Sequence, residues 1–235
     1  MGNLQSGWID VKKTKMTKFD FLYKLTHSKA ALKKITIIPG ETDYFIYQQI
    51  GKKMGIKNLK CLNIPEGFLY PDSYYLPYGF SKNEICNYLY NISLKKHKNL
   101  SKRIFGYWNF EKYYFYLRIA SIIQKEAKDK NDMKLVSSVI YNRLKKKMKL
   151  QMDGTLNYGK YSHTKVTPHM IKSDKTKFNT YKYFGLPPKP ICVVSQQAII
   201  SAIFPAKTDY LYFVKVNGTH KFTKSYKEHL KSVKK

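Results

Sequence analysis

Between residues 82 and 147 the chain reads as three helices in succession, and that block sets the fold class. Residues 82–98, 111–128 and 132–147 each carry helical spacing of apolar positions. The third stretch ends in Lys145-Lys146-Lys147, cations that suit the negative end of a helix. The flanks obey a different rule. On the N-terminal side, Trp8-Ile9-Asp10-Val11 reads as a short strand. Thr17 then stands as an N-cap before Phe19, Leu22 and Leu25. The theme repeats with the β-branched run Ile35–Ile38, the turn Pro39-Gly40, and a helix capped by Thr42 or Asp43 that carries Phe45, Ile46 and Ile50. On the C-terminal side, residues 195–203 form a short helix. Tyr210–Val216 meets His220-Lys221-Phe222 across Asn217-Gly218, a strong hairpin signal, and a further helix starts near Ser225. The class is α+β.

Three connecting stretches lack regular periodicity. Ile64–Tyr75, with two prolines, a glycine and four aromatics, suits an ordered surface segment better than a strand or helix. Thr155–Thr176 is polar and loop-like, and Gly185–Pro190 is rigid and extended. A 235-residue chain with 43% hydrophobic and 15% aromatic residues can bury a core, which excludes compositional disorder despite a net charge of +29. That charge predicts attraction to polyanions, but only Arg103, Arg118 and Arg143 are arginines among 44 basic residues. Lysine is a point charge without arginine's bidentate fork, so an even spread of lysines argues against a dedicated reader of nucleic acid.

Cys61, Cys86 and Cys192 show neither a CxxC nor zinc-ligand spacing. An odd, scattered count argues against a disulfide framework, so small buried thiols are expected. The six histidines show no ligand spacing, and neither a metal nor a cofactor is expected. No apolar run approaches the ~18–20 residues of a membrane-spanning helix, and residues 1–13 lack a signal-peptide core. Met1-Gly2 with Ser6 matches the short myristoylation pattern, as chance allows. Read as it stands, the chain is expected to be soluble.

One acid is out of place. With Phe115 at zero and ~100° per residue, Ile119 falls near ~40°, Ile122 near ~340°, Ile123 near ~80° and Ala127 near ~120°. Glu126 falls near ~20°, inside that apolar stripe, while Gln124 and Lys125 point the other way. A carboxylate on a buried face costs free energy unless paired or protonated. Burial favours the neutral acid, which is what a general acid requires. The plainer alternative is a helix-end glutamate paired with a lysine. Other chemistries have no support: GxSxG, Walker A, GxGxxG and HExxH are all missing from the sequence.

Ile119–Glu126, Val139-Ile-Tyr-Asn-Arg-Leu144, Leu150-Gln-Met-Asp153 with Thr155 and Tyr158-Gly159, Phe178-Asn-Thr-Tyr181, Gly185-Leu-Pro-Pro188, Pro205–Val214 and His220-Lys-Phe222 with His229 together resemble the YceG-like endolytic murein transglycosylases. Glu66-Gly67-Phe68 and Pro71-Asp72 fit as well. The resemblance covers about residues 30 to 235 in collinear order.

The resemblance implies an enzyme that cleaves the MurNAc-β-1,4-GlcNAc bond of peptidoglycan without water, leaves 1,6-anhydro ends and limits nascent strand length. It implies a LysM-like subdomain over 1–62, incomplete at its N-terminus, and a catalytic domain over 63–235. It also implies a single membrane anchor, not seen in this chain, and a place on the outer, periplasmic face of the inner membrane. Penicillin-binding proteins and other wall synthases are the implied neighbours. Glu126 would be the single general acid and base, with Gln151, Asp153, Asn179 and Tyr181 lining the glycan groove. One departure is Gln124, where the family carries a glutamate; the helical spacing puts it on the face opposite Glu126. The rival readings are a non-catalytic LysM-like wall binder and, more remotely, a basic nucleic-acid-binding protein.

Overall fold

A computed structural model describes residues 8–13, 15–27, 30–127 and 129–233. The myristoylation pattern at residues 1–6 lies outside them. Helix α1 (Lys18–His27) starts where Thr17 accepts the Asp20 N–H and buries none of its residues. The Trp8–Val11 stretch contributes only a bridge, Ile9 to Ala30. Strand β1 (Leu32–Thr36) leads through the Pro39-Gly40 turn into α2 (Asp43–Met54), which ends at Gly55 in the left-handed region. Thr42 occupies the N-cap position, but its hydroxyl donates to the Gly159 carbonyl at 2.9 Å instead of capping the helix.

The segment expected to lie on the surface is instead core. Phe68, Leu69 and Tyr74 are fully buried, and Ser73–Pro77 forms strand β2, antiparallel to β1 with Ile35 opposite Tyr74. The strand is only five residues long and ends on Pro77, and its pairing comes from residues some forty positions upstream. Tyr74 packs inside while Tyr75 faces out. The cysteines also correct the sequence reading. Cys61 and Cys86 form a disulfide, and only Cys192 is a buried free thiol. Nothing in a separation of 25 residues announces that the two sulfurs meet. Both the β1–β2 pairing and the disulfide cross residue 62.

The helical block is α3 (Lys82–Phe105), α4 (Phe110–Glu126) and α5 (Lys130–Lys145). A capping box between Ser81 and Glu84 opens α3, and Gly106, at φ 79°, closes it. Between Arg143 and α7 the chain makes two short 3-10 turns (Asp153–Leu156 and Gly159–Tyr161) and α6 (Pro168–Ser173). Helix α7 (Gln196–Ile203) follows, capped by Ser195. The hairpin β3 (Tyr212–Val216)–β4 (Thr219–Thr223) turns at Asn217 and Gly218, both with positive φ as a type I′ turn needs. Helix α8 (Tyr226–Val233) closes the described chain. Helix α4 lies at the centre, packed on α7 and α5, with Leu117, Ile119, Ala120, Ile122 and Ile123 fully buried in one continuous apolar core. Among the described residues no helix is long and apolar enough to cross a membrane.

Candidate active site

The last turn of α4 delivers three consecutive side chains to three segments far away in sequence. Gln124 Oε1 accepts the Ser195 N–H at 3.0 Å, at the start of α7. Lys125 Nζ donates to Ser162 Oγ at 2.7 Å. Glu126 Oε1 accepts the Gly154 N–H at 2.7 Å. Gln124 and Glu126 thus diverge, as the helical spacing requires. Gly154 has no side chain for a reason: a Cβ there would sit 2.7 Å from Lys125 Cβ and 2.8 Å from Glu126 Oε1. The helix stops at Glu126 because Ala127 turns extended.

Glu126 is half-buried at the meeting point of two cavities. One, of about 370 Å³, is walled by Gln151, Asp153 and Tyr181 from the loops and by Tyr212, Phe213 and Val214 of β3. The other, of about 420 Å³, runs past Ala127 to Asp132, Leu135, Lys215 and His220. Glu126 therefore lines both cavities. Loss of hydration raises its pKa above the ordinary carboxylate value; the Gly154 hydrogen bond opposes this, Asp153 adds to it, and His220 opposes it. The net direction is up, towards a group that holds its proton.

The expected groove residues divide. Asp153 Oδ1 accepts the Tyr181 hydroxyl at 2.6 Å, so these two form a bonded pair beside Glu126. Gln151 stands exposed at φ 50°, its N–H donated to the Thr180 carbonyl. Asn179, expected in the groove, is not among the residues that wall either cavity. It is fully buried, its amide donates to the Ile171 and Asp174 carbonyls at 2.9 Å each, and its Oδ1 accepts the Tyr181 N–H. It shapes the loop that presents Tyr181.

Two residues carry weight that spacing alone did not show. Arg143 is buried, donating Nε to the Leu211 carbonyl and Nη1 to the Leu150 carbonyl, both at 2.6 Å, and lying 5.2 Å from the Tyr212 ring centroid. It ties α5 to both walls of the first cavity. His220 Nδ1 meets Asp132 Oδ2 at 2.8 Å in the second. The hairpin alternation is the signal for it: His220 and Phe222 share one face of β4. Among the described residues no cluster of three or more His, Cys, Asp or Glu side chains is arranged to hold a metal.

Comparison with known proteins places the chain among relatives. The model of the YceG-like family matches residues 1–235. An endolytic murein transglycosylase of Bacillus subtilis (strain 168) is 44% identical over 120 residues, covering 51% of this chain and 33% of that protein. One of Streptococcus pneumoniae (strain ATCC BAA-255 / R6) is 29% identical over 215 residues, covering 83% of this chain and 36% of that protein. The chain thus spans about a third of the length of these curated relatives. The crystal structure of a YceG-like protein from Listeria monocytogenes superposes with a TM-score of 0.69 at 27% identity, covering 92% of this chain and 81% of that one.

Proposed function

Because this chain belongs to the YceG-like family, we propose that it carries the catalytic part of an endolytic peptidoglycan lytic transglycosylase, with Glu126 as its acid. The observation that supports this most is the position of Glu126, protonation-prone and lining two cavities. A polymer can lie across such a site with units to either side of the carboxyl, as cutting within a strand demands.

The reaction follows from one carboxyl group. Two-carboxylate glycosidases need a second, ionised carboxylate to activate water or attack the sugar. A lytic transglycosylase uses the sugar's own C6 hydroxyl. Glu126 gives its proton to the glycosidic oxygen as the C1–O bond breaks. The C6 oxygen bonds to C1 and yields the 1,6-anhydro ring, with the advantage of a tethered nucleophile. The C6 hydroxyl proton ends on the carboxylate, so protons balance and no water is consumed. Gln151, and the Asp153–Tyr181 pair, would bind the sugars of one half of the groove.

In this reading the β1–α2–β2 unit is the LysM-like part, extended past residue 62 by its sheet. The disulfide suits an oxidising, extracytoplasmic face, where wall strands and their polymerases and transpeptidases are found. The nucleic-acid reading is weakened further by Arg118 and Arg143, whose guanidinium groups are spent on main-chain carbonyls. Digestion of purified glycan strands followed by mass spectrometry should reveal 1,6-anhydro ends. Glu126→Gln should remove them while leaving the thermal midpoint close to wild type. Undiminished release by a folded Glu126→Gln variant would sink the assignment.

A further inference from the structure

The one-carboxyl scheme makes a heavy geometric demand. Glu126 Oε1 is already engaged by the Gly154 N–H. Its other oxygen would have to face the glycosidic oxygen and then the C6 hydroxyl. A second proton acceptor beside it would lift that demand, and the second cavity contains one.

His220 projects from β4 into the cavity that Glu126 also lines. Its Nδ1 lies 2.8 Å from Asp132 Oδ2, and both side chains are only 10% exposed. An ionised carboxylate can only accept, so the Nδ1 proton is donated to it. That bond selects the tautomer and leaves the lone pair on Nε2, the arrangement by which a carboxylate prepares an imidazole as a base. The other charged groups around the cavity are worse placed. Asp129 Oδ1 accepts the Asn131 and Asp132 N–H groups and caps α5. Lys125 donates to Ser162, and the ammonium of Lys215 offers donors but no acceptor.

Resting on the transglycosylase reading, we propose that His220, oriented by Asp132, takes the proton of the attacking C6 hydroxyl. The steps balance. The Glu126 O–H breaks and its proton goes to the glycosidic oxygen, which takes the electron pair of the C1–O bond. The C6 oxygen forms the new bond to C1 while its own proton passes to His220 Nε2, giving an imidazolium beside a Glu126 carboxylate. The imidazolium proton then returns to the carboxylate and both groups are reset. The sugar that becomes the anhydro end therefore lies in the His220 half of the groove. The departing sugar lies in the half walled by Asp153 and Tyr181.

The test is steady-state cleavage of purified glycan strands by wild type, His220→Gln, His220→Ala and Asp132→Asn. His220→Gln should lower kcat by about 100-fold or more, the range of a lost general base. KM should stay within about threefold, since the loss falls on the transition state. Added imidazole should restore part of the rate of His220→Ala. Asp132→Asn, which keeps the shape but spoils the tautomer, should lower kcat about 10-fold or more. A folded His220→Gln with near wild-type kcat, a loss confined to KM, or a folded His220→Ala that imidazole cannot rescue would each overturn the proposal. If the His220 variants do not fold, an unchanged kcat in Asp132→Asn overturns it instead. Wild type that releases no anhydro ends refutes the broader reading, which separates the two failures.

Discussion

Replacing Gly154 by alanine tests how the Glu126 carboxyl is held. The added methyl would sit 2.7 Å from Lys125 Cβ and 2.8 Å from Glu126 Oε1. Two carbons pack at ~3.5 Å or more, so one side must retreat by about 0.8 Å. Lys125 Cβ belongs to a helix whose core face is locked, so the loop and the Glu126 side chain are the parts that move. A displacement approaching 1 Å at a reacting group can cost about 100-fold in rate. Overpacking of this kind costs about 1–3 kcal/mol of stability. The variant should therefore fold, melt lower and cleave about 100-fold more slowly. A second signature comes from the lost hydrogen bond. The Gly154 N–H favours the charged carboxylate, so weakening it moves the Glu126 pKa further up. The acid then keeps its proton to higher pH, and the alkaline limb of the rate profile should shift upward while its height falls. Muropeptide release across a pH series, with a parallel melting curve, measures both. A folded Gly154→Ala enzyme with wild-type kcat and an unmoved alkaline limb would refute this account of the site.

Two predictions concern stability. Replacing Cys61 and Cys86 by serine opens a loop whose ends are 25 residues apart. The chain-entropy estimate for that loop is about 3.5 kcal/mol, to be read from urea midpoints of the oxidised protein and the double variant. Equal midpoints would show that the link contributes nothing. His97 is fully buried between the Phe68 carbonyl and the Tyr113 hydroxyl, and burial pushes its pKa from 6.5 down to about 4. Between those two values the unfolded chain binds a proton that the folded chain refuses. Stability from this group is thus complete above pH 6.5 and lost as pH falls towards 4, by roughly 3 kcal/mol at most. Thermal melts from pH 7 to 4.5 should show that slope, and a folded His97→Gln variant should flatten it. An identical slope in the variant would assign the loss to other groups.

The elements that were legible in the sequence are those whose information is local. Helices α4 and α5 announce themselves through spacing, and the hairpin through Asn217-Gly218. Glu126 was legible because a charge on an apolar stripe is a conflict visible within a dozen residues. Helix α3 was foreseen but cut short at residue 98; it runs on to Phe105 because nothing stops it before Gly106. What stayed hidden depends on distant partners. Strand β2 exists by virtue of β1, and the disulfide by virtue of how α3 meets the loop after α2. The place of Asn179 is not legible because a polar loop residue has two uses, facing a ligand or satisfying nearby carbonyls, and sequence does not distinguish them. His220 was passed over because its carboxylate partner lies 88 positions away.

The anchoring of Gln124, Lys125 and Glu126 to three separate segments has an entropic meaning. A free glutamate side chain samples many rotamers, and fixing one costs about 1.5–2 kcal/mol. Here that ordering is completed when the loops at Gly154, Ser162 and Ser195 close on the end of α4, during folding. In the proposed reaction the carboxyl would therefore meet the glycan already oriented, and the activation barrier would carry none of that freezing. Loosening any one of the three anchors would transfer part of the freezing cost from the folding equilibrium into every turnover.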